Sequence, residues 1–301
     1  MKLNILGCHA ATPLDNAHTT SQILEVKDHL FLIDCGEGTQ IKLRHHKIKF
    51  SRIKHIFISH LHGDHFFGLV GLISTFRLLG RTADLHVYGP KGIKEVLTLQ
   101  LKISNSWTNY NLFFHELENK ESEIIFEDDS VTVNTIPLDH RVYTNGFLFK
   151  EKLGLRRLDK EKIKKYNIFN YDFQNLKLGK DLVLDDGTLL KNEMLTLDPN
   201  PIKCYAFCSD TAYNESILPL IYKVDLLYHD STFLKVHKNL AEKTRHSTAF
   251  QAAKIAHLAQ VKCLVLGHFS SRYRDKNNFL IEASSFFDAV HLAADGEIFD
   301  I

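Results

Sequence analysis

The sequence predicts a mixed α/β fold, and three observations carry that prediction. Short β-rich runs alternate with helical patterns along most of the chain. The longest apolar runs, such as Leu30 to Ile33 and Ile56 to Ile58, are strand-sized and far short of the ~20 residues a membrane span needs. Residues with metal-binding chemistry gather just after such runs, where loops leave strand ends.

The elements follow in order. Gln22 to Val26 and His29 to Asp34 read as two extended runs joined at Lys27-Asp28, a hairpin leading into the turn Cys35-Gly36-Glu37-Gly38. His55 to Ser59 is a compact apolar strand, and Gly68 to Leu79, stopped by Gly80, is a buried helix. Leu85 to Tyr88 is a strand closed by Gly89-Pro90, and Ile93 to Leu101 a helix. Strand-like pieces follow at Leu112 to Phe114, Ile124 to Phe126 and Val131 to Ile136, while the acidic stretch from Glu116 to Asp129 reads as a solvated loop and strand edge. Between Lys150 and Lys165 eight Lys or Arg face three acids, a local charge of +5, with little apolar periodicity. Asp185-Asp186-Gly187 between Leu182-Val183-Leu184 and Thr188-Leu189-Leu190 is a hairpin signal, so about 150–200 reads as an insertion with its own hairpin. Strands resume at Cys204 to Cys208, Asp225 to His229 and Cys263 to Leu266, and Ser247 to Ala259 has a helical pattern.

Composition narrows the function classes. Lys plus Arg number 37 against 36 for Asp plus Glu, so the net charge of +1 gives no general attraction to nucleic acid or membrane. Any polyanion site must be local. The five cysteines, Cys8, Cys35, Cys204, Cys208 and Cys263, are scattered and form no C-x-x-C pair, as expected of buried thiols in a reducing compartment. Met1 to Gly7 lacks the apolar core and cleavage site of a secretory signal, so a cytoplasmic chain is expected. Histidine, with 18 copies, stands out because several copies cluster beside aspartates.

The densest cluster is His60-Leu61-His62-Gly63-Asp64-His65, immediately after the strand His55 to Ser59. Alternate residues leaving a strand share a face, so His60 and His62 aim the same way, and Gly63 permits the turn that brings Asp64 and His65 round. Imidazoles and a carboxylate suit Zn²⁺, and hydrolytic centres often hold two ions ~3.5 to 4 Å apart.

This hexapeptide resembles the H-x-H-x-D-H signature of the metallo-β-lactamase superfamily. The resemblance implies an αββα sandwich of two mixed sheets with outer helices. It also implies further ligands at later strand ends: His140 in Pro137-Leu138-Asp139-His140, Asp210 as a bridging carboxylate in Ser209-Asp210-Thr211, and His268 in Gly267-His268-Phe269. Asp34 resembles the superfamily aspartate that orients a ligand from behind, the alternative being a turn cap.

Within the superfamily the chain is similar to the tRNase Z family, endonucleases that remove 3′ trailers from precursor tRNA. The strings that carry this are Thr20-Ser21-Gln22, Ile33-Asp34-Cys35-Gly36-Glu37-Gly38-Thr39-Gln40, His246-Ser247-Thr248-Ala249 and Gly267-His268-Phe269-Ser270-Ser271-Arg272-Tyr273. The family's His-Glu-Ala-Thr and His-Ser-Thr pair appears as His229-Asp230-Ser231-Thr232 and His246-Ser247-Thr248, with Asp for Glu and Ser for Ala. The resemblance implies two Zn²⁺ per chain, with Mn²⁺ or Fe²⁺ acceptable to the same donors. Catalytic roles fall to Asp64 as ligand and proton acceptor, and to His246, held by Asp230, as proton donor to the leaving 3′ oxygen.

It further implies a homodimer in which an arm at about 150–200 grips the tRNA of the partner subunit. Lys164 and Lys165 belong to the arm's basic start, which either meets backbone phosphates or forms a solvated face, and no Gly-Pro tip is present. Ser270 and Arg272 are candidate contacts to phosphate near the cut, and a second basic stretch from Lys42 to Lys54 flanks the ligand strand. The alternative function keeps the two metals but takes a small or non-tRNA phosphodiester.

Overall fold

In the computed structural model, which describes residues 1–12 and 17–301, the chain separates into two compact units. The larger comprises Met1–Glu127, Val131–Lys150 and Lys203–Ile301. It contains two seven-stranded sheets. The first runs Ile298–Asp300, Lys2–Gly7, Ser21–Val26, His29–Ile33, Ile53–Phe57, Leu85–Pro90 and Leu112–Leu117. The second runs Val290–Leu292, Leu264–Gly267, Leu226–Asp230, Cys204–Cys208, Asn145–Glu151, Val131–Pro137 and Ile124–Glu127.

Alternation within the strands explains the layering. In His29–Ile33, Phe31 and Ile33 face a core shared with Val133, Phe147, Phe149 and Tyr205 of the second sheet, while Leu30 and Leu32 face the opposite way. On that outer side they meet Leu69, Leu72, Ile73 and Phe76 of the helix Leu69–Leu78 and Ile93, Leu97 and Leu101 of the helix Ile93–Ile103. Strand segments covered on both faces read as unbroken apolar runs, which is why Leu30 to Ile33 and Ile56 to Ile58 stand out in the sequence. The shared core is aromatic: Phe31 lies 5.5 Å from both Phe57 and Phe149 and is fully buried. Burial of such a ring contributes about 2–3 kcal/mol. The outer face of the second sheet is closed by the helices Ala249–Leu258, capped reciprocally by Thr248 and Gln251, and Asn277–Ser284. The architecture is the expected αββα sandwich.

Pairing directions position the site. His29–Ile33, Ile53–Phe57 and Leu85–Pro90 are mutually parallel, as are Cys204–Cys208, Leu226–Asp230 and Leu264–Gly267. Each parallel set therefore ends its strands along one edge of its sheet, and loops from that edge carry polar residues.

The smaller unit comprises Asp128–Ser130 and Glu151–Ile202. Its own small core gathers Ile168, Leu176, Leu190 and Leu195. The helix Lys160–Lys165 starts at Asp159, whose carboxylate accepts from the amides of Glu161 at 3.0 Å and Lys162 at 3.1 Å. Leu182–Val183 pairs with Leu189–Leu190 around Asp185-Asp186-Gly187, and Gly187 takes the positive φ of 85° that the turn requires. Among the described residues no helix is long and apolar enough to cross a membrane.

Candidate metal centre

Seven of the residues singled out in the sequence, His60, His62, Asp64, His65, His140, Asp210 and His268, follow the ends of four strands of the larger unit, Ile53–Phe57, Val131–Pro137, Cys204–Cys208 and Leu264–Gly267. Three overlapping groups of donors form there, each with its ligand atoms within 4.8 Å of one another: His60, His62, His140 and Asp210; Asp64, His65, Asp210 and His268; and Asp210, Asp230, His246 and His268. Asp210 belongs to all three. Its Oδ1 lies 3.1 Å from His268 Nε2 and 3.4 Å from His65 Nε2, and its Oδ2 lies 3.8 Å from His60 Nε2 and 3.9 Å from His140 Nε2. Within the first group His62 Nδ1 is 3.0 Å from His60 Nε2 and 3.3 Å from His140 Nε2.

The surroundings decide where each ring carries its proton. The His65 Nδ1–H donates to Asp34 Oδ2 at 2.7 Å, and Asp34 also accepts from the Ser59 amide at 2.7 Å and hydroxyl at 2.9 Å. Because Ser59 Oγ gives its proton to Asp34, it is left to accept from His60 Nδ1, 3.0 Å away. His140 Nδ1 faces the Arg245 carbonyl at 2.9 Å, which can only accept. Thr232 Oγ1 donates to Asp230 at 2.8 Å and so accepts from His268 Nδ1, also 2.8 Å away. Four imidazoles are thus keyed through Nδ1, and their Nε2 lone pairs converge on the Asp210 and Asp64 carboxylates. Lone pairs facing lone pairs and carboxylates at 3 to 4 Å repel unless a cation lies among them. The donor set fits divalent metal ions.

The electrostatics agree. Burial holds His60 well below the usual imidazole range, helped by the charge of His65, and burial lowers His62 and His140 as well, so all three are neutral and able to offer a lone pair. Burial works against the carboxylates of Asp210 and Asp64, but the His268 and His65 imidazoles outweigh it and hold both well below their usual range. His65 itself is pushed well up: burial opposes this, and the Asp210, Asp64 and Asp34 carboxylates prevail. That spot is strongly negative, and a bound cation would take the proton's place there. Asp34 and His268 both adopt left-handed backbone, with φ of 55° and 61°. Asp34 is fully buried behind His65 and caps no helix.

Asp230 and His246, which complete the third group, are tied more tightly to one another than to its other members. Asp230 Oδ2 lies 2.7 Å from His246 Nδ1, so the shorter aspartate spans the distance. Its other oxygen accepts from the Thr232 amide at 2.8 Å. Burial lowers His246, but the Asp230 carboxylate more than offsets this and pushes it up to about 9, so it is protonated at neutral pH.

A cleft of about 320 Å³ opens over these groups, lined by His62, Asp64, Asp210, His246 and His268 together with Ala10 to Thr12, Arg141, Thr232, Phe233, Thr244, Ser270 and Ser271. The Ala11 amide donates to Asp64 Oδ2 at 2.8 Å. Of the candidate substrate contacts, Ser270 lines the cleft, whereas Arg272 is exposed and is not among the lining residues. Lys164 and Lys165 are exposed on the helix Lys160–Lys165 of the smaller unit. Arg141 and Ser59 escape sequence reasoning, each a single polar residue in an ordinary local string, and Thr232, though inside a motif string, gains its role only from its tertiary neighbours.

Comparisons with known proteins converge. The chain is 47% identical over 292 residues to the ribonuclease Z of Bacteroides thetaiotaomicron, covering 97% of this chain and 92% of that protein. It is 45% identical over 300 residues to the ribonuclease Z of Cytophaga hutchinsonii, covering 99% and 95%. Among solved structures, the short form of human tRNase Z matches with a TM-score of 0.73 at 26% identity, covering 100% of this chain and 99% of the other. The metallo-β-lactamase fold protein YhfI from Bacillus subtilis matches with a TM-score of 0.71 at 17% identity, covering 99% of each chain, a likeness of fold. Residues 1–178 match the model of the family described as Anti-Pycsar protein Apyc1. The chain belongs to the ribonuclease Z family and, through residues 1–178, to the Apyc1 family as well.

Proposed function

We propose that this chain is a metal-dependent endoribonuclease that removes the 3′ trailer of precursor tRNA, leaving a 3′-hydroxyl on the tRNA and a 5′-phosphate on the trailer. The observation that carries this is the pair of donor groups sharing Asp210 in one cleft with the Asp230–His246 pair, in a chain of the ribonuclease Z family. His60, His62, His140 and Asp210 would hold one ion, and Asp64, His65, Asp210 and His268 the other, with zinc the ion favoured by the donors. When bound, such ions lower the pKa of water towards ~7 and offset negative charge developing at phosphorus.

The chain's own groups do the rest. Asp64, held by the Ala11 amide, accepts the proton released as water attacks phosphorus. His246, protonated on both nitrogens and held through Nδ1 by Asp230, gives its Nε2 proton to the departing 3′ oxygen. Asp34 and Thr232 fix the imidazole orientations on which both groups of donors depend.

The smaller unit serves in this reading as an inserted arm for the RNA. Arg156, Arg157, Lys160, Lys164 and Lys177 line a groove of about 680 Å³ over Leu155, Ile163 and Phe173, a surface suited to sugar-phosphate backbone without sequence readout. Ile41, Leu78, Leu99 and Ile103 are exposed on the helices outside the first sheet, which supports a homodimer. The site of action is the cytoplasm. Cleavage of an end-labelled precursor tRNA with added Zn²⁺ or Mn²⁺ tests the proposal. A metal-dependent cut at the base of the trailer, absent in His62→Ala, is expected. Hydrolysis of a chromogenic phosphodiester without any cut in the precursor would move the substrate away from tRNA.

A further inference from the structure

We propose that Arg141 binds the non-bridging oxygens of the scissile phosphate, an inference that rests on the phosphodiester chemistry proposed above. Two observations support it. Among the described residues lining the cleft Arg141 is the one lysine or arginine, and it is exposed there beside His62, Asp64, Asp210 and His246. The neighbouring Asp139 carboxylate is already taken by Arg245, whose Nη1 lies 2.8 and 2.9 Å from its two oxygens, and no described carboxylate is ion-paired with Arg141.

An unpaired guanidinium beside a centre built for two divalent cations is electrostatically unfavourable by itself. An anion arriving between them reverses the sign. The planar guanidinium presents paired N–H donors that match two phosphate oxygens, and their partial charge grows as water attacks and the P–O3′ bond breaks. The contact strengthens in the transition state, so its loss falls mainly on kcat.

The test compares metal-loaded wild type, Arg141→Ala and Arg141→Lys on bis(p-nitrophenyl) phosphate and on precursor tRNA, with bound metal measured on each sample. The diester contains a single phosphate, so it reads the scissile position alone. Expected is a loss of about 10²- to 10³-fold in kcat for Arg141→Ala on both substrates at unchanged metal content, partly restored by lysine. The inhibition constant for inorganic phosphate should rise in Arg141→Ala. Diester turnover within about twofold of wild type would overturn the inference, as would activity losses that track metal loss in both variants, which would assign Arg141 to seating its neighbour His140. A wild type that hydrolyses the diester but leaves tRNA uncut would sink the tRNA reading alone, with Arg141 still judged on the diester.

Discussion

Replacing Asp230 by Asn removes the negative charge that holds the His246 proton while keeping an oxygen able to accept from Thr232. The carboxylate lies 2.7 Å from His246 Nδ1 and supplies the largest upward pull on an imidazole that reaches about 9 from an ordinary 6.5. That difference corresponds to about 3 kcal/mol in favour of the protonated ring. At pH 8 a ring titrating at about 9 is roughly 90% protonated and one at 6.5 roughly 3%, a ~30-fold difference. Bound cations lower both values together and widen the ratio towards about 300-fold. Cleavage of precursor tRNA at pH 8 should therefore fall about 30- to 300-fold in Asp230→Asn. Hydrolysis of bis(p-nitrophenyl) phosphate should change little, because its phenolate leaves without a proton. The alkaline limb of the tRNA profile, at or below about 9 in wild type, should move to lower pH. The sign for stability is the same: a folded pKa raised above 6.5 stabilises the fold fully below 6.5, and this stabilisation disappears as the pH rises through about 9. Equal losses on the two substrates would refute the assignment of His246 as the proton donor.

Other variants probe separate parts of the site. Asp34→Asn keeps a residue tolerant of the left-handed backbone but weakens the hold on His65, so metal affinity measured by chelator competition should drop about 10- to 100-fold. Gly36→Ala would place a Cβ 2.4 Å from the Asp64 carbonyl oxygen and 2.2 Å from Thr19 Oγ1, which should lower unfolding stability in urea by about 1–3 kcal/mol. Charge reversal at Lys160 and Lys164 should weaken precursor binding and flatten its salt dependence while leaving diester hydrolysis intact, as judged by titrating sodium chloride in a filter-binding assay.

How much of this was legible in the sequence varied by level. Strands buried on both faces, such as Leu85–Pro90, announce themselves as apolar runs, and the hairpin Ser21–Val26 to His29–Ile33 follows from local turn chemistry. The hexapeptide after Ile53–Phe57 exposes four candidate ligands at once because they are adjacent in the chain. Ile298–Asp300, which pairs with Lys2–Gly7, is three residues long and gains its place only from a partner at the other end of the chain. The helix Thr39–His45 reads as a basic stretch, since only Thr39 and Leu43 are buried and periodicity needs more turns to emerge. Gly63–Phe66 was expected as a tight turn and is a single helical turn that carries Asp64 and His65 inward. Proton placement on the ligands lies furthest from sequence: it depends on Ser59, Thr232 and the Arg245 carbonyl, whose roles exist only once distant strands meet.

The sharpest check on the centre itself is the number of metal ions bound per chain in wild type and in Asp210→Ala, measured together with diester hydrolysis. Two ions per wild-type chain are expected, with occupancy and turnover both lost when the shared carboxylate is removed. One ion with full activity, or an active Asp210→Ala enzyme, would contradict a two-ion centre bridged by Asp210.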